Sequence, residues 1–510
     1  MYKVAAAGLL LCSCLLLTNC HAPHSYAGTV TFLIESSPTN LDPRIGTDAQ
    51  SERIDELLFD GLVARGTNFQ LQPALAVSWD HPDPLQWIFH LRPNVHFHDG
   101  RTLTSADVKW TLESMRNGTI VSAKTGAFAK VATVSAPDPL TVVLQLKTPD
   151  PALLWNLSNG AFGVVPTGSG RDFAQHLSGT GPFQFVSQEI DKEVVIERAP
   201  ASWHPAPNIQ RVHFAVVPDT TTRALELRKG SADIAINSLT ADMVNALARD
   251  QNLQVQTAPG TVVTYLAFNL RDPILRDPRV RRAISMAVDR QLIIQSLLGG
   301  HARAAASMLP QNHWAYDSTL TQVPYDPAQA RQMLDAAGYK PATDGTRFAL
   351  TMKTSTDEGT RLLAAVLQQQ LRQVGIRLQL RSFEFATFYS DIVRGAFQMY
   401  SLRWIGGNED PDIFRYALDS TQTPPKGANR GFYSNPQADA LIHDAALSDS
   451  QDQQKADYLK LQQILAQDLP IINLWYLDNV VISNRRVKNI TISPSGDYEF
   501  LETVRLADFH

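Results

Sequence analysis

Apolar side chains recur at helical spacing in the second half of the chain. In one stretch an aspartate and a proline precede an apolar stripe and a glycine pair follows it, which predicts a helix over residues 278–298 with Asp277 as its N-cap. The same pattern predicts a second helix that begins after Asp326 and ends at Gly338. Each helix presents one apolar face, which is expected to point inward.

A third apolar stripe runs over residues 361–374, where leucine recurs every fourth position until Gly375 breaks the helix. Apolar and polar residues alternate directly afterwards, in residues 376–380, which predicts a strand. In the first half, an alternating strand is followed by Thr104 and, three positions on, Asp107, which predicts a capped helix. Helices that lead directly into strands favour an α/β fold with mostly parallel sheets.

The N-terminus has the layout of a secretory signal, with an apolar run at residues 4–17 that is too short for a comfortable membrane span. All three cysteines lie within the first twenty residues, and Cys20 directly follows this run with no partner downstream. The letters LTNC that end at Cys20 resemble a bacterial lipobox. We expect a lipoprotein-type signal over residues 1–20, lipid attachment at Cys20 and a linker at residues 21–28. The alternatives are cleavage near Ala27 without a lipid, or a retained membrane anchor.

Length and charge narrow the class of protein. A chain of 510 residues exceeds what one hydrophobic core supports, so two or more lobes are predicted. With 45 basic and 50 acidic residues the net charge is only -5, and like charges do not form long runs. The charge therefore gives no reason to expect nucleic acid as a partner. No later stretch approaches 18 consecutive apolar residues.

Catalytic and cofactor motifs are missing from the sequence. We find no G-x-S-x-G, no phosphate loop, no H-E-x-x-H and no G-x-G-x-x-G that opens a helix, so we expect neither an enzyme nor a cofactor. His96 and His98 lie two positions apart on a predicted strand and would face the same side. Because no third ligand is evident nearby, a solvent-side pair is favoured over a metal site.

An ordered set of motifs runs along most of the chain. It begins with NLDP at residues 40–43, continues with LQPALAVSW at 71–79 and GTGPFQF at 179–185, and ends with DPDIF at 410–414. Together with the two helix stretches that begin DPRVRR and YDPAQA, this succession resembles the family 5 extracellular solute-binding proteins. Those proteins are the receptors of ABC importers for dipeptides, oligopeptides, nickel and some other solutes.

The resemblance implies a periplasmic-binding-protein fold, in which two α/β lobes close over a ligand by a hinge of two crossing strands. An extended lobe I would comprise residues 29–260 and 478–510, and lobe II residues 261–477, with crossings near 264–270 and 474–484. The implied function is that of a monomeric receptor at the extracytoplasmic face of the cell envelope. It would capture a peptide or peptide-like solute and deliver it to an ABC permease with its ATPase, and lipid at Cys20 would hold it to the membrane.

The stretch RWIGGNEDPDIF, residues 403–414, corresponds by this resemblance to one wall of the ligand cleft. Gly406 and Gly407 would leave backbone groups open to pair with an extended peptide. Peptide receptors of the family carry an aspartate for the ligand's α-amine where this chain has Gly407. Either Glu409 supplies that carboxylate, or the ligand lacks an α-amine and is a non-peptide solute such as an oligosaccharide or a metal chelate.

Other ligand contacts are expected on both sides of the cleft. The segment after the first strand supplies polar groups for a ligand backbone, and Arg430 is expected either to form a bidentate fork with a carboxylate or to remain a solvated loop charge. Trp404 is expected to contact ligand, whereas Asp410 is expected only to cap its turn. The full set of expected ligand-binding residues is Glu35, Ser36, Ser37, Thr39, Trp404, Gly406, Gly407, Asn408, Glu409, Asn429 and Arg430.

Overall fold

The computed structural model describes residues 28–158, 160, 162–448 and 450–507. The predicted signal, linker and lipid-bearing Cys20 lie outside the described residues, except for Gly28. No helix in the described part is long and apolar enough to cross a membrane.

Strands and helices alternate through the described chain. The strands of the first half are β1 (Thr29–Ile34), β2 (Val63–Arg65), β3 (Leu71–Pro73), β4 (Ala76–Asp83), β5 (Gln86–Leu91), β6 (Val131–Asp138), β7 (Thr141–Leu146), β8 (Phe183–Glu189), β9 (Glu193–Arg198) and β10 (Arg211–Val216). They are followed by β11 (Ile234–Ile236), β12 (Leu253–Phe268), β13 (Ala302–Ala304), β14 (Phe348–Ser355), β15 (Ile376–Phe383), β16 (Met399–Trp404), β17 (Ile471–Asn484), β18 (Val487–Lys488) and β19 (Arg505–Leu506).

Most helices follow a strand directly. They are α1 (Ala49–Leu58), α2 (Ser105–Arg116), α3 (Leu153–Asn156), α4 (Thr220–Lys229), α5 (Ala241–Leu247), α6 (Pro278–Met286), α7 (Arg290–Ser296), α8 (Pro327–Ala336), α9 (Glu358–Arg372), α10 (Phe385–Val393), α11 (Ile413–Leu418), α12 (Pro436–Leu447) and α13 (Gln451–Asp468). Short 3-10 helices occupy Ala123–Phe128, Phe173–Gln175, Gly407–Glu409 and Glu499–Glu502.

Local signals located most helix ends correctly. The Asp326 side chain accepts a hydrogen bond from the backbone N–H of Gln329 at the start of α8, and Gly338 beyond its end has a φ of +93°. One prediction was wrong, because the single helix expected after Asp277 is two helices, α6 and α7. The chain leaves the helix after Met286, and the Asp289 side chain caps a new one by accepting from the N–H of Leu292 over 2.9 Å.

One large sheet runs through the molecule in the order β15-β14-β16-β12-β17-β11-β1-β10-β9-β8, and β13 adds to β17. The pairs of β1 with β10 and β11, and of β14 with β15 and β16, are parallel, whereas the other pairs of this sheet are antiparallel. The expectation of mostly parallel sheets was therefore wrong. The reason is that β12 and β17 traverse the centre of the sheet in opposite directions and pair with each other along most of their length.

The pairing of these two long strands is interrupted near its middle. Pro259 pairs with Asp478 and Val263 pairs with Tyr476, so three residues of β12 oppose only Leu477. A Cβ atom at Gly260 would lie 2.4 Å from the carbonyl oxygen of Leu477, so only glycine fits at this close approach. We call residues 259–263 of β12 the register break.

Buried apolar residues form clusters on either side of the register break. One set packs around β1, β8–β11 and the ends of β12 and β17 beyond the break, and includes Phe32, Phe214 and Tyr498. Another set packs around β14–β16 and includes Leu266, Leu367 and Trp475. The antiparallel sheet β4-β5-β7-β6 has its own core with α2, whose predicted capping box is present. No cluster identified among the described residues spans the break.

The two neighbouring histidines have no metal-site geometry. His96 is exposed, while the ring of His98 lies against the backbone of Gly179 and Gly181, with Nδ1 accepting from the Gly179 N–H over 3.2 Å. Within the described residues, no three histidine, cysteine or acidic side chains come together as a metal-binding group.

Candidate functional site

The loop after β16 is anchored by side-chain hydrogen bonds to backbone carbonyls. One carboxylate of the loop faces a cavity. Gly406 has a φ of +73° and turns the chain into the 3-10 helix Gly407–Glu409. The Asn408 amide is fully buried and donates to the carbonyl oxygens of Thr261 (2.7 Å) and Met308 (3.0 Å). The expected ligand contact Asn408 thus anchors the loop, and Glu409 is the residue that faces the cavity.

Glu409 joins segments that are far apart in sequence. Its side chain is 3 % exposed, Oε1 accepts a hydrogen bond from Thr261 Oγ over 2.9 Å, and Oε2 lies 3.5 Å from a guanidinium nitrogen of Arg65. Burial raises the pKa of Glu409, and the nearby Arg65 charge only partly offsets this. The positive charge of Arg65 therefore offsets only part of the cost of burying the Glu409 carboxylate. A further cation beside it would stabilise its charged form.

Around Glu409 the structure forms a cavity of about 50 Å³, which we call the acidic chamber. Among the described residues, four carboxylates line it, and Arg65 is the single basic residue in its lining. Phe69, Ser493 and Ser495 complete much of the wall. The four carboxylates belong to Glu56, Glu409, Asp497 and Glu499.

Two further carboxylates of the chamber, Glu56 and Glu499, also have a raised pKa. Burial raises the pKa of Glu56 well above its usual range, and the charges of Asp497 and Glu499 raise it further. Burial and the charge of Asp497 raise the pKa of Glu499 to about 8. Burial thus disfavours the charged forms of Glu56 and Glu499, and a nearby cation would favour them.

The turn between β2 and β3 closes the chamber against the loop that follows β13. Phe69 stacks on His313 with ring centroids 5.6 Å apart, and Asn312 donates its side-chain amide to the Thr67 carbonyl over 2.7 Å. His313 Nδ1 accepts from the N–H of Ala315, so its proton is on Nε2, which lies 3.1 Å from the Glu409 carbonyl oxygen. Burial lowers the pKa of His313 to about 4, so the ring is neutral and adds no positive charge.

A larger groove of about 950 Å³ lies on the other side of Phe69, which lines both spaces. Its wall is aromatic, because four indoles contribute to it. The Arg65 guanidinium carbon sits 4.4 Å from the Trp155 ring centroid and thus links the chamber to the groove. The four indoles are those of Trp79, Trp87, Trp155 and Trp314.

The polar residues after β1 do not line the chamber. Glu35 and Ser36 are exposed, Ser37 Oγ accepts from the N–H of Asp191 over 2.7 Å, and the Thr39 hydroxyl donates to Asp48. Their expected contact with a ligand stays a prediction.

Trp404 and Arg430 lie together in a second, smaller pocket. The indole of Trp404 stacks on Tyr265 at 5.7 Å, and the Arg430 guanidinium carbon lies 5.6 Å from the Trp404 ring centroid. Arg430 donates to the hydroxyl of Tyr389 over 2.9 Å and is 7 % exposed, so the solvated alternative does not describe it. Asn429 lines the same pocket, but its amide donates to three backbone carbonyls and holds its own loop.

Sequence reasoning found Glu409 but missed most of the chamber. Glu56 lies in α1, Arg65 at the end of β2, and Asp497 and Glu499 in the C-terminal segment. None belongs to a motif, and each reads as an ordinary charged residue. The only signal was the acidic residues placed among aromatic and apolar ones in GDYEF, residues 496–500.

Comparison with known proteins decides the family. The family model for the bacterial extracellular solute-binding proteins, family 5, matches residues 70–425. The chain belongs to this family. This family 5 protein is therefore an extracytoplasmic solute-binding receptor of the ABC-importer type, which confirms the expectation of a binding protein rather than an enzyme.

The family 5 protein is similar to one curated relative and to two solved structures. It is 28 % identical to di/tripeptide-binding protein 1 of Pseudomonas aeruginosa, over 94 % of this chain and 95 % of the relative. NikZ of Campylobacter jejuni, solved in complex with Ni(L-His), is 26 % identical with a TM-score of 0.73 and coverage of 92 % and 97 %. HbpA2 of Haemophilus parasuis, at 23 % identity, superposes with a TM-score of 0.84 and coverage of 94 % and 100 %, which confirms the two-lobed α/β fold.

Proposed function

We propose that this family 5 protein captures a peptide or peptide-like solute between its two lobes and delivers it to an ABC permease with its ATPase. The observation that carries the proposal is the acidic chamber, in which Glu409 from one side of the register break faces Arg65 from the other. A carboxylate buried at this junction suits the free α-amine of a peptide. The groove beyond Phe69 has the volume that a solute of a few residues needs.

The lobes divide at the register break in this proposal. Lobe I comprises residues 29–260 and 478–510, and lobe II comprises residues 261–477. The separate hydrophobic clusters support this division, since each draws its buried members from only one side. Arg303 of lobe II forms an ion pair with Asp478 over 2.7 Å at the boundary.

In this proposal the protein binds the solute more tightly in its closed form than in its open form, and it does not change the solute chemically. A solute that contacts Glu409 of lobe II and Glu56 or Glu499 of lobe I makes its full set of contacts only when the lobes are closed. It therefore shifts the population toward the closed form, and the permease recognises that form.

We propose that Glu409 supplies the amine-binding carboxylate that is missing at Gly407. In this proposal the α-ammonium group of the solute donates to Glu409, two positions after the glycine. Support comes from the burial of Glu409 and from its hydrogen bond to Thr261, which orients the carboxylate.

The test is isothermal titration calorimetry with di-, tri- and tetrapeptides of alanine, alongside maltotriose and Ni(L-His) as non-peptide solutes. We expect at least one peptide to bind saturably. We expect neither maltotriose nor Ni(L-His) to bind. Binding of maltotriose or Ni(L-His) alone would replace the proposal with the non-peptide alternative, which Gly407 motivates. Native mass spectrometry of freshly purified protein provides an independent identification of any retained solute.

The proposal also covers how the protein is held at a membrane. We propose that the mature protein is a monomer that begins at Cys20 and is held to a membrane by lipid on that cysteine. The LTNC sequence and the absence of any later cysteine support it.

A further inference from the structure

A groove on lobe I is lined by basic side chains. It has a volume of about 490 Å³ and lies between the end of α4 and the segment that follows β17. Among the described residues, its lining contains five basic side chains and no acidic one. We call it the basic groove, and its basic residues are Arg228, Lys229, Arg485, Arg486 and Lys488.

Most of the charge in the basic groove is not neutralised by the protein. Arg486 is the exception, because its guanidinium donates to both oxygens of Asp233 over 2.6 Å. The other four side chains are exposed, and no carboxylate within the described part of the chain forms an ion pair with them. The whole chain has a net charge of -5, so an anionic partner is attracted to this groove and not to the protein in general.

The chain enters lobe I beside the basic groove. The carbonyl oxygen of Thr29, at the start of β1, accepts a hydrogen bond from Nη2 of Arg486 over 3.3 Å. Cys20 lies nine positions before Thr29, and a fully extended chain of that length spans about 30 Å. Lipid at Cys20 would therefore keep the edge of the groove within this distance of the membrane.

We propose that the basic groove docks lobe I onto the anionic headgroups of the phospholipid surface to which Cys20 is anchored. The inference rests on the proposed lipid anchor and goes beyond it, because it specifies which face of the protein meets the membrane. Exposed ammonium and guanidinium groups are attracted to phosphate groups at such a surface. A few basic side chains bind a membrane only weakly, so the groove orients an anchored protein and does not replace the anchor.

Docking through the basic groove leaves the lobes free to close. The lining residues lie at 227–230, at 252, between 484 and 488, and at 507, all of which belong to the proposed lobe I. Strand β17 pairs at the register break through Asp478 and ends six positions later at Asn484, which is about 20 Å of extended strand. The membrane would thus hold lobe I while lobe II moves over the solute.

The test measures how fast individual lysines of the wild-type protein are acetylated in the presence of vesicles, with mass spectrometry as the readout. Lys229 and Lys488 are expected to react several-fold more slowly with phosphatidylglycerol vesicles than with phosphatidylcholine vesicles. High salt is expected to abolish this difference, because it screens the attraction. Lys460, which is 65 % exposed on lobe II, is the reference and is expected to react equally with both kinds of vesicle.

Two double variants assign the protection to the basic groove. Arg228→Gln/Arg485→Gln removes two charges from the groove, retains both reporter lysines and is expected to abolish their protection. Arg279→Gln/Arg394→Gln removes the same charge from lobe II, where these side chains are 54 % and 67 % exposed, and is expected to keep the protection. Circular dichroism and the melting temperature of each variant establish that it is folded.

Each outcome separates this inference from the proposed anchor. Equal acetylation with the two kinds of vesicle overturns the docking and leaves the lipid anchor, which intact-mass measurement tests, standing. A wild-type chain without lipid overturns the anchor, whereas protection by phosphatidylglycerol would still support the docking. Protection that persists in Arg228→Gln/Arg485→Gln overturns the assignment to the groove. If vesicles give no protection but this variant loses peptide import in cells, the groove contacts a protein and the lipid inference is overturned.

Discussion

Thr261 donates its hydroxyl to Oε1 of Glu409 over 2.9 Å, and this bond fastens the wall of the acidic chamber to the register break of β12. The Thr261 carbonyl also accepts from the Asn408 amide over 2.7 Å. Two neighbouring residues of the loop are therefore bonded to one residue of the crossing strand. A ligand that binds Glu409 therefore contacts a residue that is bonded directly to the register break.

Glu409→Gln is expected to weaken the binding of free-amine peptides about tenfold to hundredfold, since a charge-assisted hydrogen bond contributes about 1.5 to 3 kcal/mol. Acetylating the peptide is expected to weaken binding to the wild type by a similar factor and to change little further in the variant. Calorimetry on matched free and acetylated tripeptides measures both effects, with exposed Glu358→Gln as a lobe II control. Full affinity in Glu409→Gln would show that the amine is anchored elsewhere.

Ligand is expected to compact the protein about the two crossing strands. The reason is that β12 and β17 run continuously through the register break, where we propose that the lobes divide, so ordered strands would join the two lobes. Small-angle X-ray scattering with and without a saturating peptide measures the radius of gyration. An unchanged radius would count against a hinge at this position.

Gly260→Ala is expected to destabilise the protein by about 1 to 3 kcal/mol, the usual range for overpacking. The added Cβ would lie 2.4 Å from the Leu477 carbonyl oxygen, so one of the two crossing strands has to move. Denaturant titration measures the loss. Gly126→Ala is the control, because its Cβ meets no atom within 4 Å, and equal stability losses for the two variants would refute the explanation.

Glu499 is expected to make the protein less stable as pH rises. The pKa of Glu499 is raised to about 8 by burial, above its unfolded value of about 4.3, so the folded state holds this proton when the unfolded state has lost it. Glu499→Gln removes that penalty. The melting temperature of the variant relative to the wild type is therefore expected to increase from pH 5 to pH 8, and a constant difference would contradict the assignment.

Cys20→Ala is expected to release the protein from membranes. The variant has no cysteine at which lipid can attach after the signal, and no helix in the described part can cross a bilayer. Intact-mass measurement of the wild type is expected to show an acylated chain that begins at Cys20, and fractionation is expected to show the variant in the soluble extract. Retention of the variant in the membrane fraction would contradict a lipid anchor at this residue.

Local sequence determined the parts of the fold that depend on short-range contacts. Asp326 with Gly338 and Thr104 with Asp107 bounded their helices correctly, since a cap bonds to backbone only two or three residues away. The same locality explains the error after Asp277, where the apolar stripe continued while Asp289 capped a new helix.

Tertiary structure alone decided the direction of the central strands and the composition of the chamber. The sheet is mixed because β12 pairs with β17, more than 200 positions later, and no local signal encodes that pairing. The chamber brings Glu56 and Arg65 from near the N-terminus together with Glu409, Asp497 and Glu499. The resemblance to the family pointed to the loop and to the aspartate missing from it, but the grouping of the four acidic side chains arises only where these distant segments meet.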